Sequence, residues 1–375
     1  MYRLKSALIV EYKYMRLLLF VRKNGVFSYF HEERIDYDGF NGSGFINPDD
    51  VFSKIQHVYA DAERYGSIDK HAVVVLPGVF FKYARAEQDT VIESGAVTEN
   101  DVRTIISLCG TRLPSFEIVQ KRPIIYKTLS NPYIDNPIGQ KADRLKLIAS
   151  IEYLRLGIKE LFDTSAKRLG KIFEYTSFGA EIAAKAEKTA HLPERIIITL
   201  ADGNIDVALC NGGVPVKGCS DMLGAKHVCY SLAEELGVDD ATAEEIANGM
   251  NLNLNFTDRD FYYVGGEKYS VSKVNSCVAE AFIYLAGEVK KYIDEMCEDE
   301  TPPPVFLTGS SLCSVRGVKD VFEDETGCEI TILDSETLNL TGCGNYVAAA
   351  VCESTKTIDT VDKIKQKLKS IFGSK

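Results

Sequence analysis

The sequence predicts an α/β protein of two lobes built on one repeated plan. Strand–turn–strand starts occur twice, at Ser6 and at Arg195, about 190 residues apart, although the residues themselves do not repeat. Apolar strand-like runs alternate with helical patterns along the chain. A length of 375 residues exceeds what one ordinary core needs and suits two or more domains.

The first lobe opens with two β-prone runs, Ser6 to Glu11 and Met15 to Val21. Lys23-Asn24-Gly25-Val26 supplies a hairpin turn into a third strand, Phe27 to His31. Asn47 is placed to cap a helix, with Pro48 at its first position and acids behind it. Val51, Ile55, Val58 and Ala62 share one face of that helix, which should run to about Tyr65. A second unit is expected from His71, opening on a buried strand at Ala72 to Leu76. Thr98-Glu99-Asn100-Asp101 caps a helix to about Cys109. Glu117 to Tyr126 reads as a strand whose Pro123 demands an edge or a bulge. Leu145 to Leu154 is a strand, Ile158 starts a helix, Lys171 to Tyr175 is a strand, and Phe178 to Ala190 is an Ala-rich helix.

The second lobe repeats the opening with strands Arg195 to Leu200 and Ile205 to Cys210 around the turn Asp202-Gly203-Asn204. Helices follow at Ala225 to Leu236, Ala241 to Asn248 and Val271 to Glu298. Val305 to Thr308 is a buried strand running into Gly309-Ser310-Ser311, then a helix from Val315 to Thr326. Gly342-Cys343-Gly344 opens a last helix, Asn345 to Cys352.

Composition narrows the function. A net charge of −11 disfavours nucleic acid as the main partner. No apolar run approaches the ~20 residues that span a bilayer, and the N-terminus lacks a signal-peptide pattern. The ten cysteines are scattered with no CxxC and read as reduced, cytosolic thiols. The five dispersed histidines offer no zinc spacing, so no metal site is assigned.

Four segments stand in order along the chain: Ser43-Gly44-Phe45-Ile46-Asn47-Pro48 with the helix ending Asp61-Ala62-Glu63-Arg64, Val97-Thr98-Glu99-Asn100-Asp101-Val102, Asn136-Pro137-Ile138-Gly139-Gln140 with Arg144-Leu145, and Leu307-Thr308-Gly309-Ser310-Ser311. Taken together they resemble the actin/Hsp70-like (ribonuclease H-like) fold and, within it, the FtsA family. The resemblance implies a first lobe at 1–70 and 157–193 with an FtsA-type α/β insert at 71–156. It further implies a second lobe at 194–327, a return to the first lobe at 328–352, a linker at 353–360 and a C-terminal amphipathic helix at 361–375.

It also implies a nucleotide site between the lobes, where two hairpins grip phosphates through glycine amides and an Asp holds hydrated metal. The first hairpin's Asp-x-Gly-Thr/Ser is here Glu11-Tyr12-Lys13-Tyr14, with a longer acid and a lysine where glycine belongs. The second, Asp-x-Gly-Gly-Gly-Thr-Thr-Asp, is Thr199 to Asp206 and keeps only Gly203 and Asp206 in place. The Gly-Gly pair is Gly224-Ala225, the A-E-x-I-K helix is Ala243-Glu244-Glu245-Ile246-Ala247 without its Lys, and the adenosine loop is Gly309-Ser310-Ser311. The candidate residues for ATP with Mg are thus Glu11, Asp202, Gly203, Asn204, Asp206, Gly224, Glu244, Gly309 and Ser310; no catalytic residue is assigned. Each lost donor around a developing phosphate costs ~10²–10³ in rate, so hydrolysis is expected to be negligible.

In the tail, Val361, Ile364, Leu368, Ile371 and Phe372 fall on one helical face, flanked by lysines that include Lys365 and Lys369. From Ile358 to Lys375 five Lys face two Asp, a basic amphipathic pattern suited to a membrane interface. By resemblance, the chain is expected to be a cytoplasmic scaffold at the inner membrane face, tethering FtsZ filament tails through its second lobe and self-associating through its insert. The alternatives are a PilM-type adaptor of a pilus or secretion machine, and an ATPase or kinase of the same fold. The altered nucleotide site and the terminal amphipathic helix count against the adaptor, and the altered hairpins against the enzyme.

Overall fold

Ala7, Leu8, Ile9 and Val10 are all fully buried, so the first strand has apolar neighbours on both faces, as a strand inside a covered sheet requires. The computed structural model describes residues 3–23, 26–177, 192–211, 213–254, 257, 259–298 and 300–333. The Asn24-Gly25 turn, the Ala-rich segment 178–190, the helix expected at 345–352 and the tail lie outside the described residues. Strand β1 (Arg3–Val10) pairs antiparallel with β2 (Tyr14–Lys23), and β2 with β3 (Val26–Asp36). A short pair, β4 (Phe40–Asn41) and β5 (Gly44–Phe45), leads into helix α1 (Pro48–Ala62). Asn47 caps that helix by accepting from Asp50 N at 3.2 Å, as the Asn-Pro pattern predicts. The chain returns as β6 (Ser67–Leu76), parallel to β1, and later as β10 (Ile172–Ser177), parallel to β6. The sheet order is β10-β6-β1-β2-β3. Helices α1 and α3 (Leu156–Leu169) bury their apolar stripes against it through Ile55, Tyr59, Ile158 and Phe162.

The second lobe repeats this order with unrelated residues. Strands β11 (Glu194–Leu200), β12 (Ile205–Asn211) and β13 (Val214–Asp221) form the antiparallel meander. Strands β16 (Val305–Gly309) and β17 (Ile330–Ile332) add in parallel, giving β13-β12-β11-β16-β17. Its core is closed by α4 (Ala225–Leu236), α5 (Asp240–Gly249), the long α6 (Val271–Cys297) and α7 (Val318–Thr326). The boundary expected at residue 328 is corrected here, because Ile330–Ile332 hydrogen-bonds to β16 and belongs to the second lobe. A hairpin of β14 (Phe261–Val264) and β15 (Glu267–Ser270) precedes α6; its four-residue strands were too short to register as a pattern.

The inserted unit begins later than expected. Ala72 to Leu76, read as its first strand, pairs instead with β1 in the first-lobe sheet. The insert's true first strand is β7 (Phe81–Val91), which the sequence reading missed because its mixed residues (FKYARAEQDTV) stay half-exposed and carry no apolar signal. It pairs with β9 (Arg144–Arg155), which pairs with β8 (Phe116–Lys127); α2 (Glu99–Leu108) covers one face of this sheet. Strand β8 is an edge, and its register shifts at Pro123 as a strand proline demands. The insert is fastened to both lobes. Arg155 donates to the carbonyls of Gly42 (3.1 Å) and Ser43 (2.9 Å), and Gln120 Nε2 to that of Tyr175 (2.6 Å). On the other side, Ser150 Oγ donates to the Pro215 carbonyl and Tyr83 lies against Gly218.

Candidate functional site: the facing hairpins

Two turns meet where the lobes face each other. The first, Glu11 to Tyr14, links β1 to β2 and is closed by Glu11 N donating to Tyr14 O at 2.9 Å. Tyr37 braces it from behind: its amide donates to the Lys13 carbonyl (3.0 Å) and its hydroxyl to the Glu11 carbonyl (2.7 Å). The second turn, Asp202-Gly203-Asn204, links β11 to β12 and is closed by Ala201 N donating to Asn204 O at 2.9 Å.

The side chains of the first turn enter the second. The Tyr12 ring lies directly on Gly203, where a β-carbon would come within 2.6 Å of Tyr12 Cβ and overlap the ring. Tyr14 donates its hydroxyl to Asp202 Oδ2 at 2.9 Å, across 188 positions of sequence. Lys13, where the resemblance expects a glycine, is exposed; its ammonium stands 5.7 Å from the centre of the Tyr12 ring. Two aromatic side chains of the first turn therefore fill the space between the turns.

Asp206 follows that turn as the second residue of β12 and is 6% exposed. It accepts from Asn204 Nδ2 (2.8 Å), Ser220 Oγ (2.6 Å) and, across the lobes, the Gly78 amide (3.2 Å). Burial pushes its carboxyl up to about 6 in spite of these donors. Glu11 is also buried. Burial, and then the charge of Asp202, push it up to about 8, against the opposing pull of Arg16 and Arg34. Arg16 itself is committed to Glu32 through two hydrogen bonds of 2.8 and 2.7 Å.

The remaining candidates line the rim of the second turn. Gly224 caps α4 and presses on it so closely that a β-carbon would lie 2.5 Å from Asn204 N. The first amides of α4, at Ala225 and Lys226, donate to the carbonyls of Ala201 and Asp202, both at 2.9 Å. The helix end that could hold an anion thus holds the chain's own backbone. Glu244 pairs with Lys226, so a lysine from the neighbouring helix stands beside it where the helical Lys of the motif is missing. Gly309 has φ +120° and abuts the Leu200 backbone, and Ser310 N donates to the Leu200 carbonyl at 2.7 Å. Ser310 Oγ accepts from Leu312 N (3.3 Å), and Ser311 Oγ is bonded to Asn248 Oδ1 (2.6 Å).

The structure thus gathers Glu11, Asp202, Gly203, Asn204 and Asp206 into one cluster, with Gly224, Glu244, Gly309 and Ser310 along its edge. Most of their polar groups already have partners within the protein. Sequence reasoning missed Gly78 and Ser220, the outer partners of Asp206. The only signal for Gly78 was a Pro-Gly step directly after a buried strand. Val361, Ile364, Lys365, Leu368, Lys369, Ile371 and Phe372, expected to meet a membrane, lie outside the described residues. Among the described residues no helix is long and apolar enough to cross a membrane, and no cluster of metal-ligating side chains occurs.

Two five-stranded sheets of identical order, each an antiparallel meander extended by parallel strands, define the actin-like ATPase fold. No protein-family model and no curated protein matches the sequence. Solved structures do match it. A PilM–PilN type IV pilus biogenesis complex is similar at 12% identity over 93% of this chain and 96% of that one, with a TM-score of 0.59. MreB5 of Spiroplasma citri bound to ADP is similar at 13% identity over 96% and 98%, with a TM-score of 0.55. The same MreB5 bound to AMPPNP is similar at 14% identity over 97% and 98%, with a TM-score of 0.53. What is shared at such identities is the fold.

Proposed function

We propose that this chain is an actin-fold scaffold that works by holding protein partners and does not turn over ATP. The observation that carries this reading is the Tyr12 ring seated on Gly203, with Tyr14 bonded to Asp202, in the place where the fold would bring phosphates. A phosphate at the second turn requires open space over its glycine, and here the Tyr12 ring fills the space over Gly203. On the strength of the FtsA-like motifs and the basic amphipathic tail, the partner is an FtsZ-type filament tail, brought to the inner membrane surface. The insert, fastened to both lobes, would carry contacts between copies. The similarity to PilM along almost the whole chain supports a second reading, an adaptor of pilus assembly that takes a short segment of a partner protein.

The test is titration of the purified full chain with Mg-ATP by calorimetry and a phosphate-release assay, followed by pull-down with two peptides. The expected result is no heat and no release. Turnover at the rate of an active actin-fold ATPase overturns the reading. Retention on an FtsZ C-terminal peptide favours the division scaffold, and retention on a pilus-protein N-terminal peptide favours the adaptor. Retention on neither removes both partner assignments.

A further inference from the structure

We propose that the Tyr12–Lys13–Tyr14 turn is a built-in bolt that holds the two lobes permanently closed, replacing the bridging ligand that an open cleft of this fold would need. This concerns the mechanical state of the molecule and stands whichever partner it carries.

Three features point to it. First, the bolt is rigid before it reaches the other lobe. The Tyr12 ring meets Phe40 edge-on at 5.6 Å, the Tyr14 ring is covered by the Arg34 guanidinium at 3.8 Å, and Tyr37 fixes the turn backbone. Side chains held in this way lose little freedom on docking. Second, the facing surfaces are cut to fit, with a glycine at a close-contact point on each side: Gly203 of the second lobe under the Tyr12 ring, and Gly78 of the first, where a β-carbon would lie 2.5 Å from Asp206 Oδ1. Third, opening would break hydrogen bonds made between the lobes. Buried Asp206 would lose the Gly78 amide, and half-buried Asp202 would lose the Tyr14 hydroxyl. The insert adds a further tie through Ser150 and Pro215.

The experiment is hydrogen exchange followed by mass spectrometry on the full chain, with small-angle scattering on the same samples. In the natural protein, exchange at Leu76 to Phe81 and at Leu200 to Asp206 should be slow and unchanged by saturating Mg-ATP. In the double variant Tyr12→Ala, Tyr14→Phe, both segments should exchange about 10-fold faster, the equivalent of one lost net hydrogen bond. The radius of gyration should rise, and exchange within β9 should stay as it was. If the double variant does not fold, Tyr14→Phe alone, which removes one hydroxyl, should still speed exchange at Leu200 to Asp206. Natural-protein exchange and dimensions in the variant overturn the proposal. So does a natural protein that already samples an open form. A chain that binds ATP yet keeps slow, bolt-dependent exchange would sink the ATP-free reading and leave the bolt standing.

Discussion

Glu11 and Asp206 are buried carboxyls beside the facing turns, and both are raised by burial, to about 8 and about 6. Their ordinary values are 4.5 and 3.8, so between those values and the raised ones the folded chain binds more protons than the unfolded chain. Stability from this source is present at low pH and is lost as pH rises, first through about 6 and then through about 8. The urea midpoint should therefore fall from pH 5 to pH 9, apart from other titrations. Glu11→Gln should abolish the fall between about pH 6 and about 8 and leave only a shallower fall, due to Asp206, that ends near pH 6. An unchanged profile in the variant would show that Glu11 does not carry the upper transition. The logic is local. A carboxylate displaced from water needs donors, and for Glu11 the nearest acid, Asp202, works against ionisation.

Among the elements, α2 makes the cleanest case for local sequence setting local structure. Thr98 Oγ1 accepts from Asp101 N (3.2 Å) while Asp101 Oδ2 accepts from Thr98 N (2.8 Å), a reciprocal cap. Thr98→Ala should cost about 1 kcal/mol, read from urea unfolding, and Thr98→Ser should restore most of it. The same cap was legible from Thr98-Glu99-Asn100-Asp101 alone, as were Asn47 with Pro48 and the edge position implied by Pro123. Strand β7 was not legible, because Arg85, Glu87 and Asp89 take part in ion pairs at the sheet surface and leave the segment without period-two apolar alternation. Nor could the partner of Ala72 to Leu76 be read from its own residues. A continuous apolar run announces a buried strand but not which sheet buries it.

At the scale of the whole molecule, the two lobes, the insert and the tail define the proposed scaffold. The tail carries the membrane part of that proposal. Each large apolar residue contributes at most ~1.5–3 kcal/mol on burial and each lysine ~1 kcal/mol at an anionic surface, so binding should be reversible and strengthened by self-association. In co-sedimentation with anionic vesicles the full chain should pellet and a chain ending at Thr360 should stay in the supernatant. Equal pelleting of the two would reject the tail as anchor.

By itself the sequence determined the duplicated α/β plan, the helix caps, the edge strand and the absence of glycine from the Glu11 to Tyr14 turn, because each is written in residues close together in the chain. Only the tertiary structure decided what fills the space between the two turns. Nothing near Glu11 states that Tyr12 will rest on Gly203 or Tyr14 reach Asp202, and nothing near Asp206 states that Gly78 will donate to it. Those contacts join positions more than a hundred residues apart, and folding of the two sheets brings them together, whereas a short stretch of sequence records only its own preferences.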